Sequence, residues 1–553
     1  MVQDGGSPFA TALRAVADRP GPLPEQDAQQ FLQQWPLEAV FRELSGPHVD
    51  HTLIEDACAA LAKLFATAHG AALLPSILPY ATAALQSSTA PLRRLAVQQL
   101  GRLLGAPGSG EQQAQALDLL LRALADEDVG VASDAEAALK QLGAPPVDRL
   151  VPLLSPATPG GAALRALASS ADPVLRMRSL TLLVALAAAS PAAAQAVRDS
   201  GLLEPLLREL QDPDDLLSCM AALQLVRDAA EQCDAGMALA LQEAVGPRLG
   251  ALLQHPEPVL QSGALRAAAS LLAASLEAGV GPMAVDDAGP AVAGNGIGHA
   301  GAAALPASAA AAAQPLLAAL KTVLDVGGVQ EFAPELEEAA LDAVGILGLQ
   351  RAGAEALLCD ATAVAIDVAY KALGRPPSPA QRLAALHTLA TLAGAERSGR
   401  SGKLLAPAAE DALRVAVFEG AGASAAGATP ADVLRQQLDQ PFLEQRVAVY
   451  RCLAALAARD WMAGQVCGHP ALLAFLCDHQ SEASKQGCEW RHACVQQLAA
   501  TISDVLGGGL GAGGPHHAVL AAAAQRVQAA ERGGPYGAAA GPREQHVATV
   551  PGV

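Results

Sequence analysis

Cysteine and histidine side chains are concentrated in one segment near the C-terminal end of the sequence, and both residue types bind zinc when their spacing suits a tetrahedral site. Cys488 and His492 are one helical turn apart and could share a face of a helix. However, the segment has a helical pattern and no C-x-x-C pair, whereas structural zinc sites usually use knuckles and loops. We therefore predict buried free thiols and no metal site, and keep a metalloprotein or enzyme as an alternative. The cluster comprises Cys467, His469, Cys477, His479, Cys488, His492 and Cys494.

Glycine patterns that could hold phosphates also occur, but without the context that such chemistry needs. Two G-x-G-x-x-G matches lie at 296–301 and 509–514, and neither follows a strand pattern, as a dinucleotide site requires. Leu404 follows Gly402 and Lys403 where a phosphate loop needs Ser or Thr. No G-x-S-x-G elbow or H-E-x-x-H helix is found. The sequence thus predicts no catalytic residue and no cofactor.

Two tryptophans and one histidine pair near the C-terminus have structural interpretations that are simpler than a binding or catalytic site. We expect Trp461 and Trp490 to pack in the core, although an aromatic on a groove wall could anchor a partner. The pair His516 and His517 lies in a Gly-rich stretch and is predicted to be a solvated loop.

Composition limits the classes of partner. The 553 residues carry a formal net charge of -19, which argues against general nucleic-acid binding and against an anionic membrane surface, because both need basic patches. The most apolar long window, 302–320, is interrupted by Pro306 and Pro315 and does not resemble a membrane span. A basic protein partner is compatible with this charge.

Cysteine usage and the N-terminal residues suggest a reducing compartment. The nine cysteines show no close-set disulfide framework. The first thirty residues lack a basic segment followed by an apolar run, so we expect no secretory signal. We therefore expect the protein in the cytoplasm and nucleus.

One helix–turn–helix unit recurs along the chain. In the run from Gly201 to Val226, two apolar-periodic segments are separated by Asp212-Pro213-Asp214, a turn that ends one helix and caps the next. Other stretches align on the second helix of this unit, beginning at Ala90, Val129, Ala171, Glu257, Pro334, Ser378 and Pro441. This pattern predicts an all-α chain in which helical hairpins stack into an α-solenoid with a long concave groove.

The aligned second helices share a small residue followed four positions later by a larger one, which lie on one helical face and allow close helix packing. The small column holds Ala96, Ala135, Ser179, Ala221, Ala264, Ala340, Ala385 and Val449. The second column holds Leu100, Leu139, Leu183, Leu225, Ala268, Val344, Leu389 and Leu453.

An arginine column precedes the small column by three residues in half of the units: Arg93, Arg176, Arg382 and Arg446. An Asp-Pro turn followed by Val and Arg resembles the HEAT repeat, and that resemblance implies a ladder of Asp and Arg between neighbouring repeats. Asp172 with Arg176, and Asp439 with Arg446, are the pairs that could form it. The other units lack one partner, so armadillo-like packing is equally compatible. We expect the arginines to be ladder or surface residues rather than phosphate ligands.

The sequence separations between successive residues of the small column indicate how the chain is organised. Five of seven steps are 39–45 residues, close to the length of HEAT and armadillo units, whereas two are 76 and 64. We interpret the long steps as flexible insertions at about 277–313 and 397–430. The predicted organisation is an N-terminal segment (1–30), the solenoid (31–506) and a Gly-rich hinge, short helix and tail (507–553).

Several stretches resemble the family of proteasome non-ATPase regulatory subunit 5. They are LDAVGILG (Leu341 to Gly348), the run from Gln440 to Leu498, the tail from Gly533 to Val550 and, more loosely, SGLLEPLLREL (Ser200 to Leu210). The Ala/Gly-rich insertions depart from the family, notably Glu277 to Ala313.

This resemblance implies an armadillo/HEAT-like chaperone for assembly of the base of the proteasome regulatory particle. Such a chaperone would bind the C-terminal domain of one base ATPase subunit, hold an early module with an associated scaffold subunit, and leave before the mature proteasome forms. The contact residues cannot be assigned from the sequence beyond polar positions on the second helices. Another solenoid scaffold or transport adaptor without catalytic activity is the alternative.

Overall fold

A computed structural model of the chain describes residues 7–44, 51–105, 110–143, 155, 158–212, 215–233, 235–276, 307–325, 332–375, 378–508 and 514–537. These residues form twenty-nine α-helices and two short 3-10 helices, and the described ranges contain no strand. The all-α prediction is confirmed. The chain divides into two compact units, Met1–Met237 and Ala238–Val553.

The first unit is a series of helix pairs in two rows. The second helices of successive repeats (α4, α7, α9, α11 and α14) pack one on the next, and α6, α8 and α10 form the first-helix row. Its helices are α1 (Pro8–Ala17), α2 (Glu25–Gln34), α3 (Leu37–Leu44), α4 (His51–Phe65), α5 (Ala68–Ala72), α6 (Leu78–Leu85), α7 (Ala90–Gly105), α8 (Gly110–Ala123), α9 (Val129–Lys140), α10 (Pro159–Ala168), α11 (Pro173–Ala188), α12 (Pro191–Asp199), α13 (Glu204–Glu209) and α14 (Leu216–Gln232).

The second unit repeats this architecture. Its second-helix row comprises α16, α18, α21, α25 and α28, and α17, α20 and α23 form the opposite row. Its helices are α15 (Ala235–Leu252, which begins before the unit boundary), α16 (Pro258–Leu276), α17 (Ala307–Leu324), α18 (Pro334–Leu349), α19 (Arg351–Cys359), α20 (Val364–Leu373), α21 (Pro379–Leu392), α22 (Gly399–Lys403), α23 (Pro407–Ser424), α24 (Pro430–Gln437), α25 (Leu443–Leu456), α26 (Asp460–Gly468), α27 (Pro470–Cys477), α28 (Lys485–Leu506) and α29 (His517–Gly533). Each unit therefore has the stacked helix pairs of an α-solenoid.

All eight aligned second helices are present, and the N-cap residues of four of them explain why those helices begin where they do. Asp128, Asp172, Asp215 and Ser378 are N-caps whose side chains accept backbone N–H groups of α9, α11, α14 and α21. Each cap satisfies a donor that would otherwise lack a partner at a helix start. Proline in the first turn of α11 and α21 adds a pre-set backbone angle.

The small column is buried between helices in seven of the eight units, and α14 is the exception. There Ala221 is half-buried, whereas Ala222 and Val226 are fully buried. The predicted alignment of this unit is therefore wrong by one residue, because Ala occupies both candidate positions and the sequence could not distinguish them.

The expected flexible insertion at 397–430 is an ordered part of the second unit. It contains α22 and the whole of α23, and α23 packs along α20 as a first-row helix. Gly420 explains why the glycines there do not indicate a linker: a Cβ at this position would lie 2.5 Å from the Ala369 carbonyl oxygen. Glycine thus allows two helices to approach closely. Of the other expected insertion, 277–306 lies outside the described residues and α17 begins at Ala307.

Both terminal regions contain helices that pack on their neighbours. In the segment 1–30, α1 buries Phe9 and Leu13 and packs on α4. The predicted short helix after the hinge is α29, which buries Leu520 and Val527 against α26 and α28. Of the two G-x-G-x-x-G matches, 296–301 and most of 509–514 lie outside the described residues.

One described helix, α16, is long and apolar enough to cross a membrane. However, 67% of its most apolar window is buried within the protein, where it packs on α17 and α18. Packing in the core therefore accounts for its composition.

Candidate protein-binding groove

Three of the four cysteines of the C-terminal cluster are buried, and Cys477 is half-buried. Cys467 and Cys494 are buried, and the Cys494 thiol donates to the Tyr450 carbonyl oxygen (3.1 Å). Burial raises the pKa of Cys467 to about 12 and also raises the pKa of Cys494. Both thiols therefore stay protonated near neutral pH, which suits neither a nucleophile nor a metal ligand.

The histidines of this cluster also have structural positions. His469 is the N-cap of α27, where its Nδ1 accepts the Leu472 N–H (3.0 Å) and its Nε2 lies 3.1 Å from Asp432 Oδ1. Burial lowers the pKa of the half-buried His492. Across the described ranges, no three His, Cys, Asp or Glu side chains are grouped so that they could hold a metal ion.

Three of the four arginines of the column form a ladder, as predicted, but with different partners. The fourth, Arg382, donates instead to the Gly374 carbonyl oxygen (3.4 Å). Arg93 donates twice to Asp126 (both 2.9 Å) and Arg446 donates to both oxygens of Glu482 (2.9 and 3.2 Å). Arg176 donates once to Glu209 (2.5 Å). Glu209 is the last residue of the next repeat's first helix, and Asp126 and Glu482 follow the corresponding helices in the turn. Each arginine also donates to a carbonyl oxygen six residues before it: Ser87, Ser170 and Gln440.

The Asp–Arg ladder implied by the HEAT resemblance is therefore wrong in its partners. Asp172 caps its own helix, accepting the Val174 N–H (2.9 Å), and Asp439 pairs with Arg435 (2.6 Å). Glu337 replaces arginine in the column on α18, and it pairs with Lys371 at the end of α20 (3.0 Å), so the charges of this pair are reversed. These pairs set the position of each second helix against the following repeat.

On the second-helix face of the second unit, the ladder and the row of helices leave a groove of about 620 Å³. Its walls are α18 and α21, and α25 contributes one arginine. The lining residues are Pro334, Glu338, Leu341, Asp342, Gly345, Ser378, Ala380, Gln381, Leu383, Ala384, His387, Thr388, Thr391 and Arg451. We call this the second-helix groove.

One wall of the groove is acidic. Glu338 and Asp342 are exposed and one helical turn apart on α18, so their carboxylates share one face. Asp342 also accepts from Arg266 of the neighbouring α16 (3.0 Å), and both side chains remain substantially exposed. A surface pair of this kind contributes little to stability, which leaves both carboxylates accessible to a cationic partner.

The opposite wall is a fixed polar network. The Arg451 guanidinium donates to the His387 carbonyl oxygen (2.9 Å) and the Thr391 hydroxyl (2.9 Å), lies 3.1 Å from His387 Nδ1, and pairs with Glu396. Burial, and secondarily the Arg451 charge, lowers the pKa of His387. Thr388 bridges the two walls, since its hydroxyl donates to the Leu341 carbonyl oxygen (3.1 Å).

A second cavity of about 650 Å³ lies beside a buried ion pair. Arg459 is 2% exposed, binds both oxygens of Glu410 (2.9 and 3.0 Å) and donates to three carbonyl oxygens.

Trp461 is buried against Phe418, as predicted, whereas Trp490 is half-buried. Contrary to the prediction from the sequence, His516 is not solvated but packs on α26, since a Cβ on Gly464 would lie 2.5 Å from its ring. Of the pair, only His517 is exposed. These contacts describe a structural core rather than a binding site.

The groove brings charged, polar and apolar side chains together on one surface. It combines exposed carboxylates, hydrogen-bonding side chains held in place and a few apolar residues, without a grouped set of catalytic side chains. The sequence predicted polar groove residues on the second helices but did not identify which ones. Alanine occurs on several sides of each of these helices, so the pattern does not show which side faces the groove.

Comparison with known proteins gives one family. Residues 25–257, somewhat less than half of the chain, match the family model described as proteasome non-ATPase 26S subunit. The matched segment includes Ser200 to Leu210, whereas the other stretches that resemble the family lie beyond it. The second-helix groove also lies beyond it.

Two further comparisons add no function. No curated protein matches the sequence. Among solved structures, the crystal structure of an engineered protein matches with a TM-score of 0.39 and 16% identity, over 83% of this chain and 99% of that chain. A TM-score this low carries no argument, and the all-α architecture rests on the helices described above.

Proposed function

Because residues 25–257 belong to the family of proteasome non-ATPase 26S subunits, we propose that the protein is a chaperone for assembly of the proteasome regulatory particle base. It would bind the C-terminal domain of one base ATPase subunit, hold the associated scaffold subunit nearby, and dissociate before the mature proteasome forms. The family is described as non-ATPase, so the proposed role is binding rather than catalysis, without a cofactor.

The observation that carries this proposal is the second-helix groove, with Glu338 and Asp342 exposed on one wall. A folded protein domain with a basic face would place cations against these carboxylates, and the overall charge of -19 would favour the encounter. A specific complex needs roughly 1,000 Å² of buried surface or more. Contacts would therefore extend from the groove along the neighbouring second helices.

We further propose that the protein acts in the cytoplasm and nucleus. All nine cysteines are free thiols, which is typical of a reducing compartment. Imaging of the tagged protein tests this location, and accumulation in a secretory compartment would contradict it.

The direct test mixes the purified full chain with each isolated C-terminal domain of the base ATPases and follows co-elution by size-exclusion chromatography. We expect one domain to co-elute. The double substitution Glu338→Lys and Asp342→Lys replaces both groove carboxylates by cations and should weaken that complex about tenfold or more, or about 1.4 kcal/mol.

A matched control reverses two exposed carboxylates on the other row of helices, which is the same charge change as in the groove variant. Asp411 and Glu419 are exposed on α23, so Asp411→Lys with Glu419→Lys should leave the affinity within about twofold, since exposed charges far from a contact are screened by salt. If no ATPase domain co-elutes, the chaperone proposal is wrong, and recovery of a different partner class would favour the scaffold adaptor. Equal binding by the groove variant would place the contact elsewhere on the chain.

A further inference from the structure

Large apolar side chains are exposed at one place in the first unit. Among its described residues, those that are exposed are Val129 (73%), Leu217 (79%), Val174 (62%) and Met220 (39%). Val129, Val174 and Leu217 are the first or second residues of α9, α11 and α14, and Met220 is the fifth residue of α14. Single exposed apolar residues are ordinary on protein surfaces, but their restriction to three successive helix starts is a pattern.

The three helix starts are neighbours. In the second-helix row α9 packs on α11 and α11 packs on α14, and the repeat topology gives these helices the same direction. A hydrogen bond and an ion pair connect the turns that precede these helices. Arg178 of α11 donates to the Leu124 carbonyl oxygen before α9, and Arg176 pairs with Glu209 before α14. Packed helices lie about 8–10 Å apart, so Val129, Val174 and Leu217 form a row with about that spacing. We call this row, with Met220, the apolar edge.

Carboxylates accompany every position of the apolar edge. Glu127 precedes Val129 and its side chain is 89% exposed. Asp172 precedes Val174 and is exposed, and the exposed Asp212 and Asp215 precede Leu217. The ladder arginines at these turns are already paired, since the side chains of Arg93 and Arg176 are 7% and 17% exposed. Arg94, beside Gly130 at the start of α9, is 48% exposed and pairs with Asp134 (3.1 Å). The surface is thus apolar along its row and negative beside it.

We propose that the apolar edge docks a basic amphipathic helix of a protein partner. A helix rises about 1.5 Å per residue, so apolar residues about seven positions apart repeat at the spacing of the stacked helices. Lysine or arginine beside them would meet the carboxylates, whereas a second copy of this acidic chain would be repelled. This surface lies in the first unit and goes beyond the proposed function, which uses the groove of the second unit.

The test uses a designed probe and the full chain. The probe is a fluorescent helical peptide of about 21 residues, with leucines about every seventh residue and lysines beside them. We expect saturable binding by fluorescence anisotropy. The double substitution Val174→Ser and Leu217→Ser should weaken it about tenfold or more, because it removes two of the four apolar side chains of the edge.

Two controls make the outcome specific. The matched variant Val415→Ser with Phe442→Ser removes two exposed apolar side chains of the second unit and should bind the peptide like the unaltered chain. A peptide with glutamate in place of lysine should not bind, since it would face the same carboxylates. No saturable binding, equal binding of the two peptides, or equal loss in both variants would overturn the proposal. None of these results depends on an ATPase domain, so failure here leaves the groove test unaffected.

Discussion

His387 shows how one hydrogen bond fixes a protonation state. Its Nδ1 lies 3.1 Å from an Arg451 nitrogen, and a guanidinium can only donate, so Nδ1 must be unprotonated. Burial lowers the pKa of His387, and the Arg451 charge lowers it further. The folded protein therefore holds a neutral imidazole in the wall of the groove.

This depressed pKa predicts a pH-dependent stability. An unfolded histidine titrates near pH ~6.5, and the folded one titrates lower, so the unfolded state binds the proton first as pH falls. The stabilisation is present above about pH 6.5 and is lost as pH falls towards the folded pKa. Between about pH 7 and about pH 5.5, the unaltered chain should lose more stability than His387→Gln, in urea unfolding followed by circular dichroism.

Two comparisons test whether the pH dependence of stability comes from the His387 side chain. The exposed His517 is the control, and His517→Gln should keep the pH dependence of the unaltered chain. His492, whose pKa burial also lowers, contributes in the same direction to the pH dependence that remains in His387→Gln. Identical pH slopes for His387→Gln and the unaltered chain would contradict the assignment.

At the scale of elements, the ladder positions each second helix against the next repeat. Three arginine–acid pairs and one reversed pair, Glu337 with Lys371, occupy the same place in the repeat. The reversed pair is well buried, with side chains 13% and 8% exposed. Gln381 also donates to Glu337 (2.6 Å). Removing one partner would leave an uncompensated charge.

Exchanging the charges should therefore be tolerated better than changing either one. Glu337→Lys alone places two cations together and should cost about 3–5 kcal/mol of unfolding free energy, as should Lys371→Glu. The double substitution restores an ion pair in the order of the other repeats, and the Gln381 amide can rotate to accept from lysine. We expect it to recover at least half of the loss in a double-mutant cycle by urea unfolding.

An exposed pair provides the comparison. Arg227 and Glu231 lie one turn apart on α14, 37% and 59% exposed, and their exchange should change stability by about 0.5 kcal/mol or less. If the double variant at 337 and 371 is as unstable as the sum of its singles, the pair does not act as a ladder element.

The second helices were predictable because four of the eight begin with a side-chain cap, a strong local signal. Caps such as Asp172 and Ser378 satisfy backbone donors, and the column of small residues marks the packed face. The ordered segment at 397–430 was missed because glycine is used in both linkers and close helix contacts, and only the approach of Gly420 to Ala369 distinguishes them. Such a contact joins residues far apart in sequence.

The groove was less predictable than the fold. Its polar lining depends on the rotation of α18 and α21, and alanine on several sides of each helix leaves that rotation undetermined by pattern alone. Arg451 reaches His387 from 64 residues away, and Arg266 reaches Asp342 from 76. Neither pairing leaves a local signal, whereas the acidic character of the whole surface was evident from composition.

At the scale of the whole molecule, charge is the property that acts before any contact forms. The chain carries a net charge of -19, and each unit has exposed carboxylates on a surface proposed to bind: Glu127 and Asp172 in the first, Glu338 and Asp342 in the second. Long-range attraction speeds the encounter with a basic partner, while short-range packing sets how long the complex lasts.

This division predicts how salt affects the kinetics of the complex with a base ATPase C-terminal domain. The screening length falls from about 30 Å at 0.01 M to about 8 Å at 0.15 M ionic strength, so the association rate should fall about tenfold or more. The dissociation rate should change by less than about threefold, since contacts already made are screened less. Stopped-flow fluorescence at the two ionic strengths measures both, with sucrose at matched viscosity as the control. If the association rate is the same at both ionic strengths, the net charge does not guide the encounter. The binding face of the partner would then be neutral rather than basic.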